Sequence, residues 1–531
     1  MIDQFVHLHL HSQYSLLDGA IKFDELFDEV EKQGMSSVAL TDHGNLFGAY
    51  DFYKKAKDKG IKPIVGCELY IAKDHLNKSS ENNKTYHLTV LAKNLQGYEN
   101  LCSLVSIGHL KGFYRKPRID RKLLFEYSDG LIVLSGCLNG EVCHNILKGR
   151  KDEAIKIAAE YKNILGDRYF IEIQGTCLKE QVRVNKVLKE IAKKLDIKVV
   201  ATNDCNYLTK NDYHSHDTLL CIQTNSLVKE ERRFRFNGNE FYLKSKDEMV
   251  DALEGDQESV ENSLLIAEKC DLDFGESNYK LPILDEEIKY DGIREFANKS
   301  LFNLINNNII SSADLNIYQE RVNHEVSIIE KMGFEGYFMV VSDFINYAKK
   351  NSIPVGPGRG SAAGSLIAFL LVITEVDPIK HDLIFERFLN PERITMQDID
   401  IDFCGEGRDE VINYVSNKYG KDKVAQIGTF GTMSSKAVVK DVGRVLGLSF
   451  SDVNKLTNMI PSFRGKVYSL EECYKKVKEF RELVEKDNSY TELYNLSVKL
   501  ENSVRHSSTH AAGVVISNEP LEKMIPLYKG S

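Results

Sequence analysis

Residues 6–11 read Val6-His7-Leu8-His9-Leu10-His11, three histidines alternating with three apolar residues. On an extended strand the side-chain period of two places all three imidazoles on one face and Val6, Leu8 and Leu10 on the other. One strand histidine is usually a satisfied polar group, but three in alternation predict metal ligation. Downstream, polar residues recur in one context, at or just after the end of an apolar run. Asp42 and His43 follow Val38–Leu40, Glu68 follows Ile64-Val65-Gly66, Cys137 follows Ile132–Leu134, and Asp204 follows Val199–Ala201. In a parallel barrel such positions are the C-terminal strand ends, where catalytic residues collect. Five segments converging on His, Asp, Glu and Cys make a nitrogen, oxygen and sulfur donor set suited to zinc or manganese.

Outward from these runs, residues 1 to about 205 alternate strand and helix. Apolar, β-branched runs (Ser36–Leu40, Lys62–Val65, Leu131–Leu134, Val199–Ala201) are interleaved with amphipathic stretches (Phe23–Gln33, Asp152–Leu165, Leu178–Leu195). That order predicts an α/β fold of βα units with a parallel sheet or barrel. Residues 206–285 are polar and mixed. They contain a basic-aromatic stretch, Arg232–Phe236, which reads as an edge strand with a solvated face or as an interaction surface. Helical patterns return over about 286–350 and, rich in Lys and Glu, over 433–505.

The length of 531 residues suggests three or four domains at about 150 residues each. Hydrophobic residues at 42% and charged residues at 28% are ordinary for a globular chain, and 35 Gly with 10 Pro exclude collagen-like or low-complexity classes. The longest apolar run, Leu366–Ile373, is too short to span a bilayer. The opening MIDQFVHLHLH lacks the basic and apolar regions of a secretory leader, and ten cysteines without a CxxC pair fit a reducing cytoplasm. The net charge of −9 means that any nucleic-acid surface is local or is completed by divalent cations.

A second pair of motifs lies near residue 400. Residues 354–365 read PVGPGRGSAAGS, small enough for close backbone approach to a ligand, with Arg359 adding charge and an apolar helix predicted to follow. Asp398-Ile399-Asp400-Ile401-Asp402-Phe403 then alternates carboxylates with apolar side chains on a predicted strand. Like charges so spaced repel unless a cation is present, and two carboxylates can bridge Mg²⁺ ions about 3.5–4 Å apart.

HLHLHSQYSLLDGA, ALTDHGN, IVGCELYIA, HLTVLAKN, LIVLSGC and ATND together resemble the PHP (polymerase and histidinol phosphatase) domain over about the first 210 residues. The resemblance implies a distorted (β/α) barrel with a trinuclear metal site of Zn²⁺ or Mn²⁺. His9, His11, Glu68 and Asp204 would hold one ion, and Glu68, His87 and Cys137 a second. Asp18, His43 and the last residue of an Asp-x-His motif would hold the third, but that motif here reads Asp204-Cys205-Asn206. An amide oxygen is a weaker, neutral ligand, so the departure separates a hydrolytic site, giving a 3′–5′ exonuclease, from a structural clamp.

GPGRGSAAGS, DLIFERFLNPERITMQDIDIDFC, TFGTMSSKAVVKDVGRVLG and STHAAGVVIS are similar, in the same order over 354–517, to the catalytic core of the bacterial DNA polymerase III alpha family. This implies a polymerase-β-like nucleotidyltransferase palm with a helical thumb. Residues 1–275 would be the PHP region (core about 1–210), 276–432 the first part of the palm, 433–505 the thumb and 506–531 the returning palm segment. Asp400 and Asp402 match the family's Mg²⁺ ligands. Gly360, Ser361 and Ser365 would cradle the dNTP triphosphate, and Arg359, Arg387, Arg393, Lys436 and His510 would face nucleotide or primer-template DNA. Gln397 stands where the family usually has Pro. The family's third catalytic aspartate follows in a KFDFLGL-like strand that does not occur here, so the chain is expected to be a fragment cut within the palm, inactive in primer extension by itself. The implied partners are primer-template DNA, dNTPs and, for a longer chain, the sliding clamp and other replisome subunits, with no membrane. The alternative is a PHP-type phosphoesterase without polymerase activity, which would have no need of DIDIDF beside GRGS.

Overall fold

The computed structural model describes residues 5–275, 292–390, 398–463 and 466–530. The chain divides into two packed units, one of residues 1–275, 428–510 and 522–531, the other of 276–427 and 511–521.

The first unit is built on seven strands: β1 (Ser37–Leu40), β2 (Lys62–Ala72), β3 (Tyr86–Ala92), β4 (Arg118–Asp120), β5 (Leu131–Leu134), β6 (Tyr169–Gln174) and β7 (Val199–Thr202). They lie in the order β1-β2-β3-β5-β6-β7, with β4 also on β2. β1 and β2, β5 and β6, and β6 and β7 are parallel, whereas β3 runs antiparallel to both β2 and β5. Within the expected α/β sheet of βα units, this one strand runs antiparallel for a physical reason. The link from Ala72 to Tyr86 holds only the 3₁₀ turn Ser80–Asn82, with no helix to carry a parallel crossover. Amphipathic helices cover the sheet. Phe23–Lys32 buries Phe23, Leu26, Phe27 and Val30, and Lys179–Leu195 buries Val184, Leu188 and Ile191 at helical spacing.

The histidine run bridges the two sheet edges. Its carbonyls accept from Ala39 and Thr41 on the β1 side, and its backbone exchanges bonds with Cys205 beyond β7. Ala39 N–H reaches His7 O while Thr41 N–H reaches Leu10 O, both at 2.9 Å, so three residues of the run oppose two of its neighbour. That is a β-bulge, and it re-aims the side chains. Val6 and Leu8 pack with Ala39, Ile64, Leu91, Ile132, Phe170 and Val200, while Phe5 and Leu10 join the core on the other side. The predicted strict alternation is therefore corrected. His9 and His11 face the cluster of ligands, whereas His7 turns away to Lys244 O (2.8 Å) and Cys205 Sγ (3.4 Å), and burial lowers its pKa to about 4.

The described residues of 433–505 form five helices from Ser435–Leu446 to Asn488–Leu500, whose core includes Leu219, Cys221 and Ile222 of helix Tyr213–Thr224. The second unit packs helices Ile293–Asn306, Leu315–Met332 and Glu335–Lys350 around the buried turn Leu366–Leu370. Arg232–Phe236 forms no strand. Arg233 instead holds it as a loop, pairing both terminal nitrogens with the Asp217 carboxylate at 2.7 and 2.6 Å. No described helix is long and apolar enough to cross a membrane.

Candidate functional site

Along the strands, every second residue counted from those that pack on Val6 and Leu8 changes from apolar, through small or polar, to a candidate ligand. Ala39, Thr41 and His43 form one such row, Ile64, Gly66 and Glu68 another, and Val200, Thr202 and Asp204 a third. β3 runs the other way and gives Leu91, Thr89 and His87, so its ligand stands at the start of the strand. Gly66 is required by close approach, since a Cβ there would sit 2.5 Å from Val90 O.

The rows deliver the predicted ligands to one place. Three groups each have donor atoms near enough to share an ion: His9, His11 and Asp204; His11, His43 and Glu68; and Glu68, His87 and Cys137. Glu68 is the hub. Its oxygens lie 3.3 Å from His9 Nε2, 2.5 Å from His43 Nδ1 and 3.0 Å from His87 Nδ1, and Cys137 Sγ is 3.7 Å away. His11 Nε2 lies 3.1 Å from Asp204, and its ring stacks on His43 at 3.9 Å. Burial alone would raise the Glu68 carboxyl, yet His87 and His43 hold it well below the carboxylate range. Burial would likewise depress His43, but Glu68 and Asp18 outweigh it and hold the ring at about 10. Burial and Glu68 push the Cys137 thiol up.

These residues fit divalent cations. His9 Nε2, both His11 nitrogens, His43 Nδ1 and Glu68 Oε2 are buried without a well-aligned hydrogen bond and, His11 Nδ1 apart, meet only one another and Asp204, a crowding of donors that a shared cation would satisfy. At the third position, Asp18 lies 3.2 Å from His43 Nε2. Asn206 donates its amide to Asp204 O at 3.0 Å and keeps Oδ1 buried and unpartnered.

Glu172 and His216 escaped the sequence reading, and Asp42, which it grouped with His43, has another role. Glu172 accepts from His9 Nδ1 (2.6 Å), Thr202 (2.6 Å), Thr89 (3.2 Å) and Gly136 N–H (3.1 Å). Its place between Ile171 and Ile173 in YFIEIQ marks a carboxylate within an apolar run, on a strand that is buried throughout, which was the available signal. Asp42 is spent on the loop that carries Asp18, accepting from Ser12 N–H and the Ser12 and Ser15 hydroxyls at 2.7–2.8 Å. His216 is fully buried with both ring nitrogens unpartnered, and burial lowers its pKa although Asp18 pulls it up. Near Arg118, a further group of Asp74, His75 and Asp120 is partly exposed, and Asp120 there caps the helix Arg121–Glu126.

In the second unit, residues 398–404 run extended beside 354–356. The backbones meet at a single bridge, Val355–Phe403, with Gly356 N–H to Asp402 O at 2.8 Å and Cys404 N–H to Pro354 O at 3.0 Å. The predicted alternation holds without a full strand. Asp398, Asp400 and Asp402 are exposed, while Ile399, Ile401 and Phe403 pack on the core. Arg359 reaches both acids, 3.5 Å to Asp400 and 3.7 Å to Asp402, and a Cβ at Gly360 would stand 3.8 Å from Asp400 Oδ2. Gly360 and Ser361 are accessible, and Arg387 lies exposed on the turn Phe385–Arg387.

Ser365 is different. It is fully buried, and its hydroxyl donates to Glu325 at 2.8 Å. Glu325 also accepts from Leu366 and Ile367 N–H at 2.9 and 3.0 Å and pairs with Arg321 at 2.6 Å. Lys436, on the first turn of Ser435–Leu446, and exposed His510, on the strand Val504–Ile516, belong to the first unit. Arg393 and Gln397 lie outside the described residues.

Comparison with known proteins matches residues 7–176 to the PHP domain and 292–531 to the bacterial DNA polymerase III alpha NTPase domain. The chain is 46% identical to DNA polymerase III subunit alpha of Borreliella burgdorferi over 99% of this chain and 46% of that one. The counterparts of Aquifex aeolicus and Thermus aquaticus are each 42% identical over 99% of this chain, which covers 49% and 48% of their lengths. The chain thus spans about half the length of the curated relatives it matches.

Proposed function

Because the chain belongs to the bacterial DNA polymerase III alpha family, we propose that it serves template-directed DNA synthesis. The observation that carries this reading is the exposed pair Asp400 and Asp402 set against the Arg359–Ser361 loop. The primer 3′-oxygen attacks the dNTP α-phosphorus, the bond to pyrophosphate breaks, and the hydroxyl proton passes to solvent. Mg²⁺ held by Asp400 and Asp402 would neutralise phosphate charge and orient the attacking oxygen. Arg359 supplies positive charge to the triphosphate, and Gly360 lets it approach the backbone. Arg387 joins it from the neighbouring turn, with Arg393, Lys436 and His510 assigned to nucleotide or template–primer by motif. In this reading residues 276–432 and 506–531 are palm, and 433–505 are a thumb on the same packed unit as the PHP region of 1–275. Primer-template DNA, dNTPs, the sliding clamp and other replisome subunits are the proposed partners, with the cytoplasm as the compartment.

The test is Mg²⁺-dependent dATP binding by calorimetry. Asp400→Asn with Asp402→Asn is expected to weaken it more than tenfold at unchanged melting temperature, and equal binding would refute the assignment.

The histidine-lined cluster favours a second activity, metal-dependent 3′–5′ hydrolysis with Zn²⁺ or Mn²⁺ on His9, His11, Asp18, His43, Glu68, His87, Cys137, Asp204 and Asn206. Water oxygen adds to the terminal phosphorus, the P–O3′ bond breaks, and O3′ takes up the proton as a nucleoside 5′-monophosphate leaves. The bound cation would lower the pKa of that water. Release of mononucleotides from single-stranded DNA, abolished by His9→Ala, is the expected result; release that survives that substitution would exclude the site.

A further inference from the structure

A cavity of about 210 Å³ opens beside the metal ligands, with Cys137 and Asp204 at its wall together with Thr176, Gln181, Phe234 and Phe236. Pockets that enclose drug-sized ligands run to about 300–1,000 Å³, so this one takes a single ring system.

Its aromatic wall is fixed in place. Phe236 stands edge-on to His216 at 4.9 Å and to Phe241 at 4.7 Å, and Phe234 stands edge-on to Phe236 at 6.1 Å. Phe234 is 53% exposed, yet its neighbour Arg233 is locked to Asp217 and to Val228 O. An apolar ring held open to solvent by a buried ion pair is a stacking surface.

The polar wall has unmet demands. Thr176 and Gln181 are 2% and 1% exposed, and Thr176 Oγ1 and Gln181 Oε1 have no hydrogen-bond partner. The Gln181 amide cannot be turned to cure this. Asn185 gives its Nδ2 to Gln174 O at 3.0 Å, so its Oδ1 accepts from Gln181 Nε2 at 2.8 Å. Gln181 Oε1 is left as a buried acceptor without a donor, behind the cavity wall. Arg232 and Arg235, exposed and close to Phe234 in sequence, bring positive charge to the same loop.

We propose that this cavity receives the unpaired 3′-terminal nucleotide of a single strand. The base lies against Phe234 and Phe236, and its phosphodiester meets the Cys137–Asp204 end. A base still paired in a duplex presents neither face nor edge to such a pocket. The inference rests on the hydrolytic reading of the metal cluster and adds the residues that select its substrate.

The test uses the 531-residue protein with its metal and 5′-fluorescein-labelled decamers whose last linkage is a phosphorothioate that resists cleavage. One decamer ends in adenosine and the other in an abasic residue, and affinity is read by anisotropy. The wild type is expected to favour the adenosine end about tenfold, the scale of one base–aromatic stack. Phe234→Ala should erase that preference and Phe234→Trp keep it. Metal content by elemental analysis should stay unchanged in both variants. Equal affinity for the two decamers, or a preference that survives Phe234→Ala, overturns the proposal. Mononucleotide release from an ordinary decamer reads the hydrolytic activity separately. Preference without release leaves the pocket standing and removes the hydrolysis, while release without preference does the reverse.

Discussion

Nδ1 of His9 lies 2.6 Å from Oε1 of Glu172, a carboxylate with no solvent exposure. That contact holds the proton on Nδ1 and leaves the Nε2 lone pair aimed at the space between Glu68 (3.3 Å) and Asp204 (3.7 Å). A ligand imidazole backed by a carboxylate is fixed in tautomer and direction. Glu172→Gln is expected to lower metal affinity about 10–100-fold, as outer-shell substitutions do. Chelator competition measures it, and an unchanged affinity would reduce Glu172 to a packing role.

By the resemblance, Asn206 stands where a ligand histidine is expected. Its Oδ1 is buried and unpartnered, a neutral acceptor where an imidazole would be a stronger ligand. Asn206→His should raise the metal bound per chain at a fixed free concentration, read by elemental analysis after gel filtration. Equal content in the two proteins would mean that Asp18 and His43 do not hold a third ion.

What the sequence made legible was the rhythm of each strand. An apolar run ending in His43, Glu68, Cys137 or Asp204 needs only the strand period and the habit of placing function at strand ends. The bulge at Leu8–His9 was not legible, because it depends on register against Ala39 and Thr41, and nothing local to VHLHLH encodes that pairing. The same holds for Glu325, an ordinary helix residue in sequence that finds its partners about forty positions later, at Ser365–Ile367. The Arg232–Phe236 stretch misled because its alternation looks like a strand, while the bidentate Arg233–Asp217 pair overrides that preference.

Ser365 was grouped with Gly360 and Ser361 by motif, but its buried hydroxyl serves Glu325 and its Oγ accepts from Ala368 N–H at 3.1 Å. Ser365→Ala should therefore cost about 1–2 kcal/mol of stability through the lost cap and hydrogen bond. Its nucleotide affinity should change by less than about twofold, well under the tenfold that 1.4 kcal/mol represents. Ser361→Ala, at the accessible part of the loop, should show the opposite pattern. Urea melts and calorimetric titration with dATP separate them, and a large affinity loss in Ser365→Ala alone would restore it as a phosphate ligand.

Glu325 also sets a pH dependence whose sign follows from its surroundings. Burial pushes its carboxyl above the ordinary value of 4.5, against the pull of the Ile367 and Leu366 N–H groups and Arg321. A carboxyl that binds its proton more tightly folded than unfolded contributes stability that is complete below that ordinary value. The contribution is lost as pH rises through the higher folded value. Glu325→Gln cannot titrate, so it subtracts the other groups from the comparison. The stability of the wild type relative to Glu325→Gln, from urea midpoints, is expected to be greatest near pH 4 and to decline toward neutrality. A difference that stays flat or grows with pH would mean that the Arg321 pair outweighs burial and that the carboxylate enters the folded state already ionised.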